Sequence, residues 1–321
     1  MPKRTSVKRE PSRSSKPEEK PSRKPREAKA HKMKDGPRPR DVALPTEKKK
    51  PSTDIRDYSI IIYGPPKIGK TTFLSTFPDI LFFLTEPGAK GLPIYEYNAD
   101  GGGVVDWDWM RQGVSLLEST DRFENVGIDT LDEAYRMCMN WVCKEAHVEH
   151  PHDANDYGKT WDAVTTEFAS VFKRIQRTGR GLYLTSHAKE STIKTASGEE
   201  HTRIGPSLTG KAGAKVLALA DFIFYVDYMR VDGQDMRVVV TIGDELITAG
   251  QRKIGGIGLP RYLPLPDDET KDYETFAAAF RGEVEGLDPA VVRPSVVTAK
   301  AAAKSVTAAR MKELRDQRKE G

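Results

Sequence analysis

The residues Gly64-Pro65-Pro66-Lys67-Ile68-Gly69-Lys70-Thr71 read G-x-x-x-x-G-K-[ST], the spacing of a phosphate-binding P-loop. The residue types follow from the chemistry. Gly64 and Gly69 allow backbone to approach closely where a Cβ would clash. Successive N–H groups turned toward one point, at the start of a helix, make a site for anions. Lys70 is placed to reach the β- and γ-phosphates of a nucleotide, and the Thr71 hydroxyl to hold Mg²⁺. Pro65, Pro66, Lys67 and Ile68 complete the loop, and Thr72 continues it into the helix.

Other residues of useful chemistry lie far along the chain. Asp129 ends the apolar run Val126-Gly127-Ile128, as the metal-binding carboxylate of P-loop proteins does; it is equally placed to cap the helix that follows. Glu86 follows Ile80-Leu81-Phe82-Phe83-Leu84, where a carboxylate orients and deprotonates an attacking water. Glu133, four residues beyond Asp129, is the competing base; Glu86 is favoured by its position after a strand. His187 ends Gly181-Leu182-Tyr183-Leu184-Thr185-Ser186, where a polar side chain can sense the γ-phosphate, or simply be hydrogen-bonded for structure. Lys189, Arg203, Lys211 and Arg252 are basic residues assigned to loops on that side, and Arg252 is the first choice to reach a neighbouring subunit's γ-phosphate.

These residues need a scaffold that brings distant stretches together. Ser59-Ile60-Ile61-Ile62-Tyr63 and 80–84 read as buried strands, as do 126–129 and 181–185. Amphipathic helices are expected over 107–119, 130–146, 161–177 and 210–220. Strands are expected at 222–228 and 236–242, joined at Asp232-Gly233, and a last helix over 273–280. Residues 89–106 read as irregular, 188–206 as a polar loop or small hairpin, and 250–266 as Gly- and Pro-rich. Short apolar strands alternating with helices predict an α/β fold, its mainly parallel sheet covered by helices on both faces. Ligands of such sheets bind beyond the C-terminal strand ends, where Tyr63, Glu86, Asp129 and His187 are all expected.

Charge divides the chain. Residues 1–50 carry 18 Lys/Arg against 7 Asp/Glu, and residues 288–321 carry 8 against 4. The whole chain is +4, which leaves about −11 for residues 51–287, an acidic body between basic tails. Residues 1–54 have too few large apolar side chains to offset their ordering entropy and are expected to be disordered. The body is expected over 55–285, and 286–321 as a second basic tail, partly helical or disordered. Basic tails suit a polyanion such as nucleic acid. The two cysteines, Cys138 and Cys143, form no C-x-x-C pair, and no apolar run reaches transmembrane length; a cytoplasmic protein without membrane contact is expected. Cys143, His147, His150 and His152 crowd together, but their spacing matches no standard zinc site.

The order of Gly64–Thr71, Glu86 with Gly88, Gly127-Ile128-Asp129, Tyr157-Gly158-Lys159, Leu184-Thr185-Ser186-His187-Ala188-Lys189, Ala220-Asp221 and Ala249-Gly250-Gln251-Arg252 with Leu259-Pro260 resembles the RecA-superfamily nucleotide-binding proteins of tailed phages, among them the Sak-type single-strand annealing ATPases. The resemblance runs from about 57 to 266. It implies a RecA-like P-loop NTPase core, ATP and Mg²⁺ as ligands, single-stranded DNA as partner, homo-oligomers, and work alongside replication or recombination proteins. It also implies Glu86 as catalytic base and His187 as sensor. The long basic N-terminal tail is not part of that pattern, nor is an aromatic-rich groove for bases visible. Two rival readings are a nucleotide-dependent adaptor with little hydrolysis, and a packaging or helicase motor, for which no second set of motor motifs is present.

Overall fold

The computed structural model describes residues 46–194, 198, 200–208, 210–253 and 258–293. The expectations for residues 1–45 and 294–321, which make up most of both tails, lie outside the described residues.

The chain lays down a sheet in the order β3-β2-β4-β5-β1-β7-β8-β9. At its centre is β1 (Ser59–Gly64), paired in parallel with β5 (Gly181–Lys194) on one side and β7 (Phe222–Val231) on the other. Beyond β5 come β4 (Asn125–Asp129), β2 (Ile80–Leu84) and the two-residue β3 (Tyr95–Glu96), all parallel. On the far side of β7 the sheet turns antiparallel with β8 (Gln234–Val240), then β9 (Tyr262–Pro264). β6 (Glu200–Pro206) pairs antiparallel with the outer half of β5, and β10 (Val292–Arg293) pairs antiparallel with β7, beyond residue 285. Insertion of β5 between the P-loop strand and the Asp129 strand is the RecA-like arrangement.

The period-two alternation of each strand feeds two layers. On one face Ile60, Ile62, Phe82, Phe222 and Phe224 pack with Phe73, Leu74 and Phe77 around α1 (Lys70–Ser75), and with Phe276 and Phe280 of α6 (Asp272–Phe280). On the other, Ile61, Phe83, Ile128, Leu182 and Leu184 meet α2 (Trp107–Glu118), α3 (Leu131–Glu145), α4 (Lys159–Arg177) and α5 (Gly210–Leu219). The α4 stripe Val164, Phe168, Phe172 and Ile175 is buried, at the spacing of one helical face. Each such side chain contributes about 1.5–3 kcal/mol by leaving water. A third cluster, Tyr63, Ile204, Tyr225, Met229, Val238, Val240 and Ile247, joins β7 and β8 to β6.

Three sequence expectations change. β5 does not end at His187 but runs to Lys194 and forms a ribbon with β6. The hairpin reading of 188–206 is therefore the one observed. Lys189 and Arg203 sit in that ladder rather than in loops. Short strands interrupt both irregular stretches, β3 the one at 89–106 and β9 the Gly- and Pro-rich one at 250–266. The Gly101–Gly103 stretch tucks in beside β2, with Val104 N–H donating to Leu84 C=O at 2.8 Å.

Candidate nucleotide site

The P-loop leaves β1 at Gly64 and turns through Lys67 (φ 63°) and Gly69 (φ 91°), both left-handed, into α1. The helix spans only Lys70–Ser75, so the loop's own N–H groups, more than a helix dipole, define the anion site. Gly64 is needed for a reason besides phosphate: a Cβ there would stand 2.3 Å from the Val226 carbonyl oxygen of β7. Gly69 is backed by Arg237, whose Nη1 would lie 3.1 Å from a Cβ at that position.

A cleft of about 420 Å³ opens over the loop. It is lined by Lys67, Gly69, Lys70, Thr71 and Thr72 from the loop and α1, by Glu86–Gly88 after β2, by Asp129 and Thr130 after β4, and by His187 of β5. Lys70 is buried, and its Nζ donates to Gly64 O at 3.1 Å and Pro65 O at 2.9 Å. Burial lowers the Lys70 ammonium from its ordinary value, while Asp129, Asp132 and Glu86 pull it back up. Thr71 Oγ1 donates to Asp129 Oδ2 at 2.6 Å, and Thr185 Oγ1 donates to Asp129 Oδ1. Thr130 Oγ1 donates to Glu86 Oε1 at 3.0 Å, and Glu86 Oε2 faces His187 Nε2 at 3.4 Å. Thr85 Oγ1 accepts the Thr130 N–H at 2.8 Å and donates to Thr130 O at 2.9 Å, tying the ends of β2 and β4 together. The Asp129–Thr130 peptide is cis.

The donor set fits a nucleotide with a hard divalent cation. Thr71 and Asp129 present adjacent hydroxyl and carboxylate oxygens, the ligands Mg²⁺ takes, and the amide-rich loop with Lys70 suits phosphates.

The structure thus brings Lys70, Thr71, Asp129, Glu86 and His187 to one cleft. Glu133 is not among the cleft residues; both its carboxylate oxygens accept from the Arg136 guanidinium. Arg252 is not brought there either. Gly250 exchanges two backbone hydrogen bonds with Ile223 at the start of β7. That places Arg252 beside Asp221 at 3.3 Å, at the strand-start edge of the sheet, opposite the P-loop. Asp221 also accepts the Ser59 N–H, the first of β1. Among the described residues no group of three or more His, Cys, Asp and Glu is placed to hold a metal, and His150 stacks edge-on against Trp161 instead. No helix among the described residues is long and apolar enough to cross a membrane.

Sequence reasoning missed several residues. Thr85, Thr130 and Thr185 orient the carboxylates, yet threonine at a strand end carries no pattern of its own. Asp132 accepts the Ser186 Oγ–H and the His187 N–H, and burial raises its carboxyl above the usual range. Arg237, only 5% exposed, donates from Nη2 to both carboxylate oxygens of the fully buried Asp272, at 2.5 and 2.7 Å, and from Nη1 to Glu269 at 3.2 Å.

A parallel sheet with β5 inserted beside the P-loop strand, and a cleft over that loop closed by an acid from the next strand but one, define a P-loop NTPase with a RecA-like core. More particularly, the chain belongs to the AAA_24 family: that family's model, an AAA domain, matches residues 56–253. No curated protein matches the sequence. Among solved structures, the flagellar accessory protein FlaH from Methanocaldococcus jannaschii aligns at 10% identity with a TM-score of 0.34, over 67% of this chain and 86% of that chain.

Proposed function

We propose that this protein is a Mg²⁺-dependent ATPase that binds single-stranded DNA and promotes annealing in phage DNA recombination or replication, acting as a homo-oligomer. The observation that carries the hydrolytic part is the convergence of Lys70, Thr71, Asp129 and Glu86 on one cleft. The P-loop amides and Lys70 hold the β- and γ-phosphates. Thr71 and Asp129 hold Mg²⁺, which when bound neutralises charge developing on the phosphates. Glu86, oriented by the Thr130 hydroxyl, takes the proton from the attacking water. His187, facing Glu86 on β5, senses the γ-phosphate.

The DNA part is supported by the resemblance to annealing ATPases and by charge. Tails of +11 and +4 flank the acidic body and supply salt-sensitive, sequence-independent attraction.

The test is steady-state ATP hydrolysis with and without single-stranded DNA, with Lys70→Ala as control. The expected result is turnover stimulated by DNA and abolished by Lys70→Ala. Unchanged turnover in Lys70→Ala would place the chemistry elsewhere. Tight nucleotide binding without DNA-stimulated turnover would make the protein an adaptor.

A further inference from the structure

β5 serves two sheets, and the change of partner occurs at one point. His187 is the last β5 residue in register with β1, opposite Gly64, and Ala188 is the first in register with β6, opposite Pro206. A single carboxylate from another element holds this crossover. Asp132, on the first turn of α3, accepts the His187 backbone N–H at 2.9 Å on one oxygen and the Ser186 hydroxyl on the other. Ser186 Oγ in turn accepts the Ser207 N–H at 3.1 Å, and the same N–H donates to His187 C=O at 2.8 Å. The strand leaving the cleft and the strand returning to it are therefore tied at the crossover by Ser186 and Asp132, in addition to their own ladder.

Asp132 is not among the residues lining the cleft. It lies three residues after Asp129 and holds the His187 backbone, while the His187 ring meets Glu86 through Nε2 at 3.4 Å. A carboxylate accepting two donors from consecutive residues fixes both the strand end and the direction of the intervening side chain, and such charge-assisted bonds are the stronger kind.

We propose that Asp132 is a positioning residue that latches the β5 crossover, so that His187 is held against Glu86 and its response to nucleotide passes into the β5–β6 ribbon. The proposal deepens the ATPase reading above and rests on it for the chemistry in the cleft. A side chain serving stability alone would shift melting without changing how the ribbon answers nucleotide.

The experiment is amide hydrogen exchange of residues 186–206 in the full chain, with Mg²⁺ and a non-hydrolysable ATP analogue, with Mg²⁺-ADP, and with neither, alongside analogue affinity. In the wild type, the analogue, which carries a γ-phosphate, is expected to slow exchange across the ribbon more than ADP does. Asp132→Ala is expected to abolish that difference while analogue affinity stays within about threefold of wild type. Asp132→Asn keeps an acceptor for the His187 N–H and is expected to restore most of the response. Should Asp132→Ala fail to fold, Ser186→Ala removes one of the two donors and is expected to weaken the response in part. The proposal is overturned if the alanine variant answers the analogue as the wild type does, or if its analogue affinity falls in step with the lost response. It is equally overturned if the wild-type ribbon ignores the bound analogue. A protein whose ribbon responds to the analogue but which hydrolyses no ATP would instead refute the ATPase reading and leave the latch in place.

Discussion

Gly64→Ala separates the demands of the sheet from those of phosphate. The added Cβ would lie 2.3 Å from the Val226 carbonyl oxygen and 3.3 Å from Ile68 Cγ2. Side-chain Cβ atoms essentially never come within 3.0 Å of another atom, so β1 and β7 must part by about 0.7 Å. The obstacle is backbone in a central strand, paired in parallel with β1 over Ile60–Tyr63, and it has no rotamer to change. Overpacking of this kind costs about 1–3 kcal/mol. For a domain of this size each kcal/mol lowers Tm by about 2–4 °C, so thermal unfolding of the nucleotide-free protein is expected to fall by several degrees. Gly88→Ala is the matched control: it lines the same cleft but has nothing within 4 Å of its Cβ position, and its Tm is expected to stay at the wild-type value. A Gly64→Ala protein that melts with the wild type would refute the reasoning, because the glycine would then be serving the ligand alone.

Three further outcomes are expected. Glu86→Gln is expected to leave nucleotide affinity unchanged and lower kcat by about 100-fold or more, as loss of a general base does, whereas Glu133→Gln, tied to Arg136 outside the cleft, is expected to turn over near the wild-type rate; the reverse pattern in steady-state kinetics would reassign the base. Asp129→Asn is expected to weaken nucleotide binding in Mg²⁺ but not in EDTA, read by titration calorimetry, and equal weakening in both would mean that Asp129 holds the fold rather than the metal. Asp272→Ala removes the buried partner of the Arg237 guanidinium and leaves it the half-exposed Glu269 at 3.2 Å; the expected cost is up to about 3–5 kcal/mol in urea unfolding, most of it recovered by pairing Arg237→Met with Asp272→Leu, and a loss under about 1 kcal/mol would show that water or Glu269 takes over the pairing.

The parts of the fold legible in the sequence are those where burial imposes a pattern. Ile60-Ile61-Ile62 and Leu81-Phe82-Phe83 face apolar layers on both sides, so their strands announce themselves. The outer half of β5 does not, because residues 190–194 are exposed or only partly covered and their polar sequence has no face to alternate. Glu86, Asp129 and His187 were found because each closes an apolar run, and parallel strands all deliver their ends to the same edge. The location of Arg252 is not legible in the sequence, because it depends on the pairing of Gly250 with Ile223, a long-range contact that carries no local signal. The Arg237–Asp272 pair bridges 35 residues, and neither partner lies in a motif.

That pair also sets an order of assembly. Gly69 rests against Arg237, Arg237 is neutralised by Asp272, and Phe73 and Phe77 are covered by Phe276 of the same helix. A chain that has left the ribosome only as far as residue 253 contains every residue of the phosphate loop and both candidate acids. It still lacks the helix against which the loop is braced, and the aromatic side chains beneath the loop are without their outer cover. The segment synthesised after the family domain is therefore what braces the phosphate loop from behind.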